Sequence, residues 1–94
     1  MLIIKALNRI KKGTRSSRRL RKFNKLPAIL YGKNFDSLSI ELDYNDLLNI
    51  YNKIDIFKNK IKIFLDDKFF LVKVKNIQYH SFKKKILHID FFLL

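Results

Sequence analysis

Cysteine is absent from the 94 residues, so no disulfide, thiolate metal site or cysteine nucleophile is open to this chain. A reducing cytoplasm is the setting that suits such usage. Long apolar runs are missing too. The opening "LII" is broken by Lys5, which argues against a secretory signal, and no stretch nears the ~20 apolar residues of a membrane span. There is no Ser/Gly linker, low-complexity tract or internal repeat, so nothing marks a boundary and residues 1–94 read as one domain with a single core. The most telling lack is of acids: residues 1–33 hold eleven Lys and Arg and not one Asp or Glu.

Charge is what the chain has in excess. Its net value of +13 is large for this length and points to a polyanionic partner. Residues 34–57 carry five acids against one lysine and residues 58–94 nine lysines against three acids, so the basic surface is directed. Ile, Lys, Asn, Phe and Tyr are all abundant, as an AT-rich coding sequence makes them, and lysine therefore weighs less than arginine here. The five arginines, Arg9, Arg15, Arg18, Arg19 and Arg21, fall within thirteen residues while lysine serves everywhere else. A guanidinium is a planar fork, suited to bidentate and stacking contacts that an ammonium does not make. The Arg-, Lys- and Ser-rich start also has the composition of an organelle presequence, but it merges into what reads as folded structure.

Hydrophobic alternation predicts strands over 2–10, 26–32, 38–43, 60–65, a long one over 69–80, and 86–92. Pro27 forces Leu26 into an extended conformation, and Asp66-Asp67-Lys68 reads as a hairpin turn. The parity shared by Phe70, Val72 and Val74 breaks at Ile77, which calls for a bulge or a strand end near Asn76. Leu87, Ile89 and Phe91 share one face of the last strand, and His88 and Asp90 the other.

Two helices are expected between the strands. Ser16 or Ser17 caps a basic one ending near Lys25, with Arg18, Arg21, Lys22 and Lys25 on one stripe and Leu20 and Phe23 anchoring the other side. Asp43 caps the second, with Leu47, Leu48 and Tyr51 as its apolar stripe. The expected fold is mainly β (α+β): a six-stranded, mostly antiparallel closed β-barrel with two or three short helices, since closure removes exposed edges.

The basic helix is the strongest functional signal. A solvated charged face is the usual meaning of a charge run, but a helix that is merely soluble alternates signs, and this one has no interleaved acid. Its natural target is a phosphate backbone. His88 and Asp90 admit three readings: an oriented catalytic pair without a nucleophile, metal ligands lacking a third partner unless His80 folds in, or a donor and acceptor on a strand face that reads RNA edges. An ordinary polar outer face is the fourth reading, and from periodicity alone it prevails. Tyr31 before Gly32, Gln78, and the lysines at 83–85 are open to the same two interpretations.

"SRRLRKFNKLPAILYG" (17–32), "LSIELD" (38–43), "IQYH" (77–80) and "LHIDF" (87–91) together resemble the short, single-domain form of the bacterial large-subunit ribosomal protein numbered twenty-five, a family that binds 5S ribosomal RNA. The resemblance spans the whole chain, and four motifs in register are more specific than any one of them. It implies a six-stranded barrel docked on the internal-loop region of 5S RNA through the minor groove. It also implies that Ser17, Arg18, Arg19 and Arg21 lie on the RNA side and that Tyr31, Gln78, His88 and Asp90 line a sheet surface facing the same loop. Longer members carry a second C-terminal domain for which this sequence has no residues. There are departures from the family pattern: Arg15 follows Thr14, "QYHS" stands where "QRHP" is usual, and Lys75 replaces an amide. Tyr79 thereby loses an arginine contact, and Lys75 trades an amide that reads bases for a phosphate-seeking charge.

The expected function is thus structural: a non-enzymatic, cytoplasmic component of the large ribosomal subunit, monomeric within it, with no cofactor, membrane or small-molecule substrate. Arg18, Arg19, Arg21, Lys22 and Lys25 would supply charge and Tyr31, Gln78, His88 and Asp90 would discriminate, with Arg9, Ser17 and Lys75 as further RNA contacts. The rival is a general nucleic-acid chaperone or DNA-compacting protein, which shares the charge but binds duplex DNA as tightly as folded RNA. A small ribonuclease built on His80 or His88 has no supporting spacing.

Overall fold

A computed structural model describes residues 2–9, 24–83 and 85–94. Its elements are β1 (Leu2–Asn8), β2 (Lys25–Gly32), β3 (Phe35–Asp43), α1 (Tyr44–Lys53), β4 (Ile61–Leu65), β5 (Lys68–Tyr79) and β6 (Ile86–Leu93). The strands close into a six-stranded barrel in the order β1-β3-β2-β6-β5-β4. Ile4, Leu26, Ala28, Leu30, Ile40, Leu42, Ile61, Ile63, Val72, Ile89 and Phe91 point inward, each at 1% exposure or less. Among the described residues no polar or charged side chain is buried.

Four neighbouring pairs are antiparallel, but β1 with β4 and β2 with β6 are parallel, which corrects the expectation of a mostly antiparallel barrel. The reason is a connection. Rather than turning tightly into a hairpin, the chain leaves β3 through α1 and an irregular stretch, so that β4 starts beside Leu2 and runs with β1. Alternation records which side chains face inward and says nothing about strand direction. The described residues contain one α-helix; the region expected to form the basic helix, apart from its end, lies outside them. That end is corrected. Lys25 opens β2 opposite Asp43, and Asn24 before it takes a left-handed φ of 61°, so Lys25 cannot extend a helical stripe.

Asp43 caps α1 as expected, its carboxylate accepting from the Asp46 amide at 3.1 Å. The buried stripe is Tyr44, Leu47 and Ile50, not Leu47, Leu48 and Tyr51, which places Leu48 and Tyr51 at the helix flank. This face stops one end of the barrel. The β4–β5 turn is a two-residue loop: Asp66 and Asp67 both have left-handed φ, 50° and 61°, as a type I′ turn requires, and Lys68 already pairs with Leu65. Short polar side chains tolerate that conformation better than most.

Two bulges set the outward pattern. Lys75 is an extra residue in β5 between the pairs Val74–Phe91 and Asn76–Asp90, which is the parity break expected near Asn76. The second is a correction. Leu87 is extra in β6 between Gln78–His88 and Tyr79–Ile86, so Ile86 rather than Leu87 joins the core.

The Tyr44 hydroxyl accepts the buried Ile86 amide at 3.0 Å and so ties the helix to the start of β6. Tyr44→Phe is expected to cost about 1–3 kcal/mol by orphaning that amide, whereas Tyr51→Phe at an exposed pair should cost about 1 kcal/mol or less. Urea denaturation of the two variants is the check, and equal stabilities would contradict this role for Tyr44.

Candidate nucleic-acid interface

Inward apolar residues on β2, β6 and β5 force the alternate residues onto a shared outer face. The register then sets them side by side. Gln78 is opposite His88, Asp90 lies between Ile29 and Asn76, and Phe92 lies between Tyr31 and Lys73. These rows are ~6.6 Å apart along the strands, and the strands ~4.8 Å apart, so the three-strand face is about as wide as a shallow groove edge.

His88 Nδ1 is 3.1 Å from Asp90 Oδ1. The two atoms are close without forming an aligned hydrogen bond: Nδ1 is shielded from solvent and has no properly directed partner. Both side chains remain about a quarter exposed, 27% and 28%, so the pair is accessible from outside the barrel. His80 does not join them. Its Nδ1 accepts the Phe82 and Lys83 amides at 3.1 and 3.2 Å within its own loop, and the described residues hold no cluster of three metal-ligating side chains.

Tyr31 meets Phe92 edge to face, centroids 5.6 Å apart, and the Lys75 ammonium sits 5.1 Å from the same Phe92 ring. Lys75, exposed on its bulge, is therefore a cation fixed at the aromatic edge of the face. Lys25 shares the outward parity of Tyr31 on β2, at the end where β6 begins. Arg9 stands apart: its amide donates to Ser39 O at 2.9 Å beyond the end of β1, two strands from β2 around the barrel. Ser17, Arg18, Arg19, Arg21 and Lys22 lie outside the described residues, so the structure brings together Lys25, Tyr31, Lys75, Gln78, His88 and Asp90.

Asn76 and Phe92 belong to the same face and were not singled out from sequence. The signal for Asn76 was the parity break itself, because a bulge at Lys75 returns Asn76 to the outside. For Phe92 the apolar ending of the chain concealed an outward residue. Also unforeseen is the contact between the Tyr51 and Tyr79 hydroxyls, 3.0 Å apart.

The Ribosomal L25p family model matches residues 4–91, from the first strand through the last. The chain belongs to the Ribosomal L25p family. It is 47% identical over 91 residues, 97% of this chain and 96% of the relative, to "Large ribosomal subunit protein bL25" of Buchnera aphidicola subsp. Acyrthosiphon pisum (strain Tuc7). To proteins of the same name it is 46% identical over 92 residues in Buchnera aphidicola subsp. Baizongia pistaciae (strain Bp), covering 97% and 95% of the two chains, and 43% identical over 91 residues in Proteus mirabilis (strain HI4320), covering 97% of each. The match reaches into all six strands and takes in both bulges, so the outer face of β2, β6 and β5 lies within the part shared with the family except for Phe92, just past its end.

The hydrogen bond with the Tyr51 hydroxyl first, then partial burial, then the charge on Tyr51 push the Tyr79 hydroxyl up to about 12 from the ordinary 10.0. Because the folded value is the higher one, this contribution to stability is complete below pH 10 and is lost as pH climbs toward 12. In an alkaline titration followed at 295 nm, one tyrosine is expected to ionise late, and Tyr51→Phe should bring it back toward the others. Unchanged late ionisation in that variant would contradict the pairing.

Proposed function

We propose that this chain is a non-catalytic component of the large ribosomal subunit that binds 5S ribosomal RNA at the minor groove of its internal-loop region, in the cytoplasmic ribosome. Residues 1–94 act as one RNA-binding domain. Membership of the Ribosomal L25p family and the names of its relatives support the ribosomal part of this reading. The observation that carries the RNA part is the outer face of β2, β6 and β5, where Gln78 faces His88, Asp90 faces Asn76, and Tyr31 packs on Phe92.

A-form RNA displays a wide, shallow minor groove with 2′-hydroxyls and base edges, and non-standard pairs reshape it. A gently curved sheet carrying an amide, an imidazole and a carboxylate offers both donors and acceptors to such a groove. Gln78, His88, Asp90 and Tyr31 read shape and edges in this account. Arg9, Ser17, Arg18, Arg19, Arg21, Lys22, Lys25 and Lys75 hold phosphates around them. The cost of desolvating the His88–Asp90 pair is limited, because each side chain is already mostly covered and each faces the other.

If the complex neutralises on the order of five phosphates, log affinity should fall with log salt with a slope of about −3.5 to −4.5. Lys25→Ala is expected to shrink that slope by roughly one contact and weaken all RNAs alike, whereas Gln78→Ala should leave the slope unchanged and lower the preference for 5S RNA by about 1–3 kcal/mol. Filter binding or gel shift across a salt series, with duplex DNA as competitor, is the check. A flat salt response, or duplex DNA competing as well as 5S RNA, would overturn this function in favour of a general nucleic-acid chaperone.

A further inference from the structure

Beyond the three-strand face, the barrel end stopped by α1 carries a second feature. The connection from β5 to β6 folds over the flank of the helix and leaves a cleft of about 630 Å³ between them. Tyr51 and Asn52 of α1, Tyr79 of β5, and Ser81, Phe82 and Lys83 of the connection line it. Its volume falls within the range of small-ligand sites.

The cleft is built rather than incidental. The imidazole of His80 accepts two successive backbone amides, Phe82 and Lys83, and the His80 amide donates to Lys85 O at 2.8 Å. These bonds close the loop into a defined turn. Phe82 is left 93% exposed on it. A large apolar ring held in water by a pinned loop forgoes burial that a slack loop would allow it to recover, and this makes the ring available to a partner.

The chemistry of the lining selects that partner. Among the described residues no carboxylate lines the cleft, while Lys83 lines it and the Lys85 ammonium stands 5.6 Å from the ring of Tyr44, another lining residue. The charge therefore complements an anion. The aromatic surfaces of Tyr79 and Phe82, with the amide of Asn52 and the hydroxyls of Tyr51 and Ser81, complement a flat ring carrying donors and acceptors. Stacking surfaces interleaved with cations are what an unpaired nucleotide requires. The cleft shares strands with the outer face: Tyr79 follows Gln78 on β5, and Ile86, which lines the cleft, starts the strand that carries His88.

We propose that this cleft receives one unstacked nucleotide of RNA, its base against Phe82 and Tyr79 and its phosphate at Lys83. The proposal rests on the reading that the partner is RNA and adds to it a second site that takes a single-stranded residue. Phe82 supplies the stacking surface, and the hydrogen-bonded Tyr51–Tyr79 pair sets the wall on the other side.

Amide NMR of the full chain, titrated with the single-stranded tetranucleotides rA4 and rU4 and separately with inorganic tripolyphosphate, tests this directly. Shifts at residues 79–82 and at Tyr51 and Asn52 are expected with the tetranucleotides and not with tripolyphosphate, which should reach Lys83 alone. Phe82→Ala should weaken tetranucleotide binding on the order of 5- to 100-fold, and Phe82→Trp should retain it. So exposed a side chain can be exchanged without unfolding the barrel, and unchanged dispersion of the remaining amides would show this. Tripolyphosphate reproducing the shifts would mean that charge alone is recognised and would overturn the proposal. A cleft undisturbed by either tetranucleotide at millimolar concentration, as a surface made for a protein segment would be, overturns it too. Tetranucleotide binding here by a chain that shows no preference for 5S RNA would sink the proposed function and leave this inference standing; 5S preference without any response of the cleft would do the reverse.

Discussion

The phase of side-chain alternation around a closed barrel is the constraint on which the other features depend. Once inward positions are filled by apolar residues, every outward position is fixed as well, because successive residues must point to opposite sides. On β5 and β6 a perfect two-residue period would not work. Val72 and Val74 are inward by even parity and Ile77 by odd, so without the extra residue Lys75 either Ile77 would leave the core or Asn76 and Gln78 would enter it. Leu87 solves the matching problem on β6, letting both Ile86 and Ile89 be buried while His88 and Asp90 stay outside. The polar face is therefore a product of core packing corrected at two points.

The same constraint explains why function and stability are separable here. Ile89 and Phe91 are fully buried, while their neighbours His88, Asp90 and Phe92 remain accessible. A substitution on the outer face touches no core contact, whereas loss of a buried ring such as that of Phe91 would cost about 3–5 kcal/mol. The helix α1 extends this logic to the barrel end: Tyr44, Leu47 and Ile50 stop it, and Tyr51 on the adjoining flank meets Tyr79. One short helix thus buries one stripe and shapes a cleft with the next.

Much of this was legible in the residues. The alternation in "LSIELD" and "KIKIFL", the cap at Asp43 and the parity break before Ile77 gave the strands, the helix start and one bulge correctly, because each is a local effect of side-chain type. The parallel seams were not legible, since direction is decided by connections whose paths depend on tertiary packing. The role of Leu87 was hidden because Ile86 and Leu87 are interchangeable to any apolar count, and only pairing with Tyr79 distinguishes them. Lys25 was assigned to a helix by its spacing from Arg18, Arg21 and Lys22, but pairing with Asp43 across β3 outweighs that periodicity. The contacts of Tyr79 with Tyr51, and of Phe92 with Tyr31 and Lys75, join residues distant in sequence and left no trace in it.

The outer surface is not uniform, and this makes the central claim open to a direct check. The polar rows lie on β2, β6 and the later part of β5, whereas the neighbouring surface of β1, β4 and the start of β5 shows Ile3, Leu7 and the packed rings of Phe64 and Phe69. The decisive measurement is amide NMR of the chain with and without a 5S RNA internal-loop fragment. Changes concentrated at Ile29–Tyr31, Asn76–Gln78 and His88–Phe92 are the expected result. Changes confined to Ile3, Lys62 and Phe69, with the three-strand face undisturbed, would contradict the account.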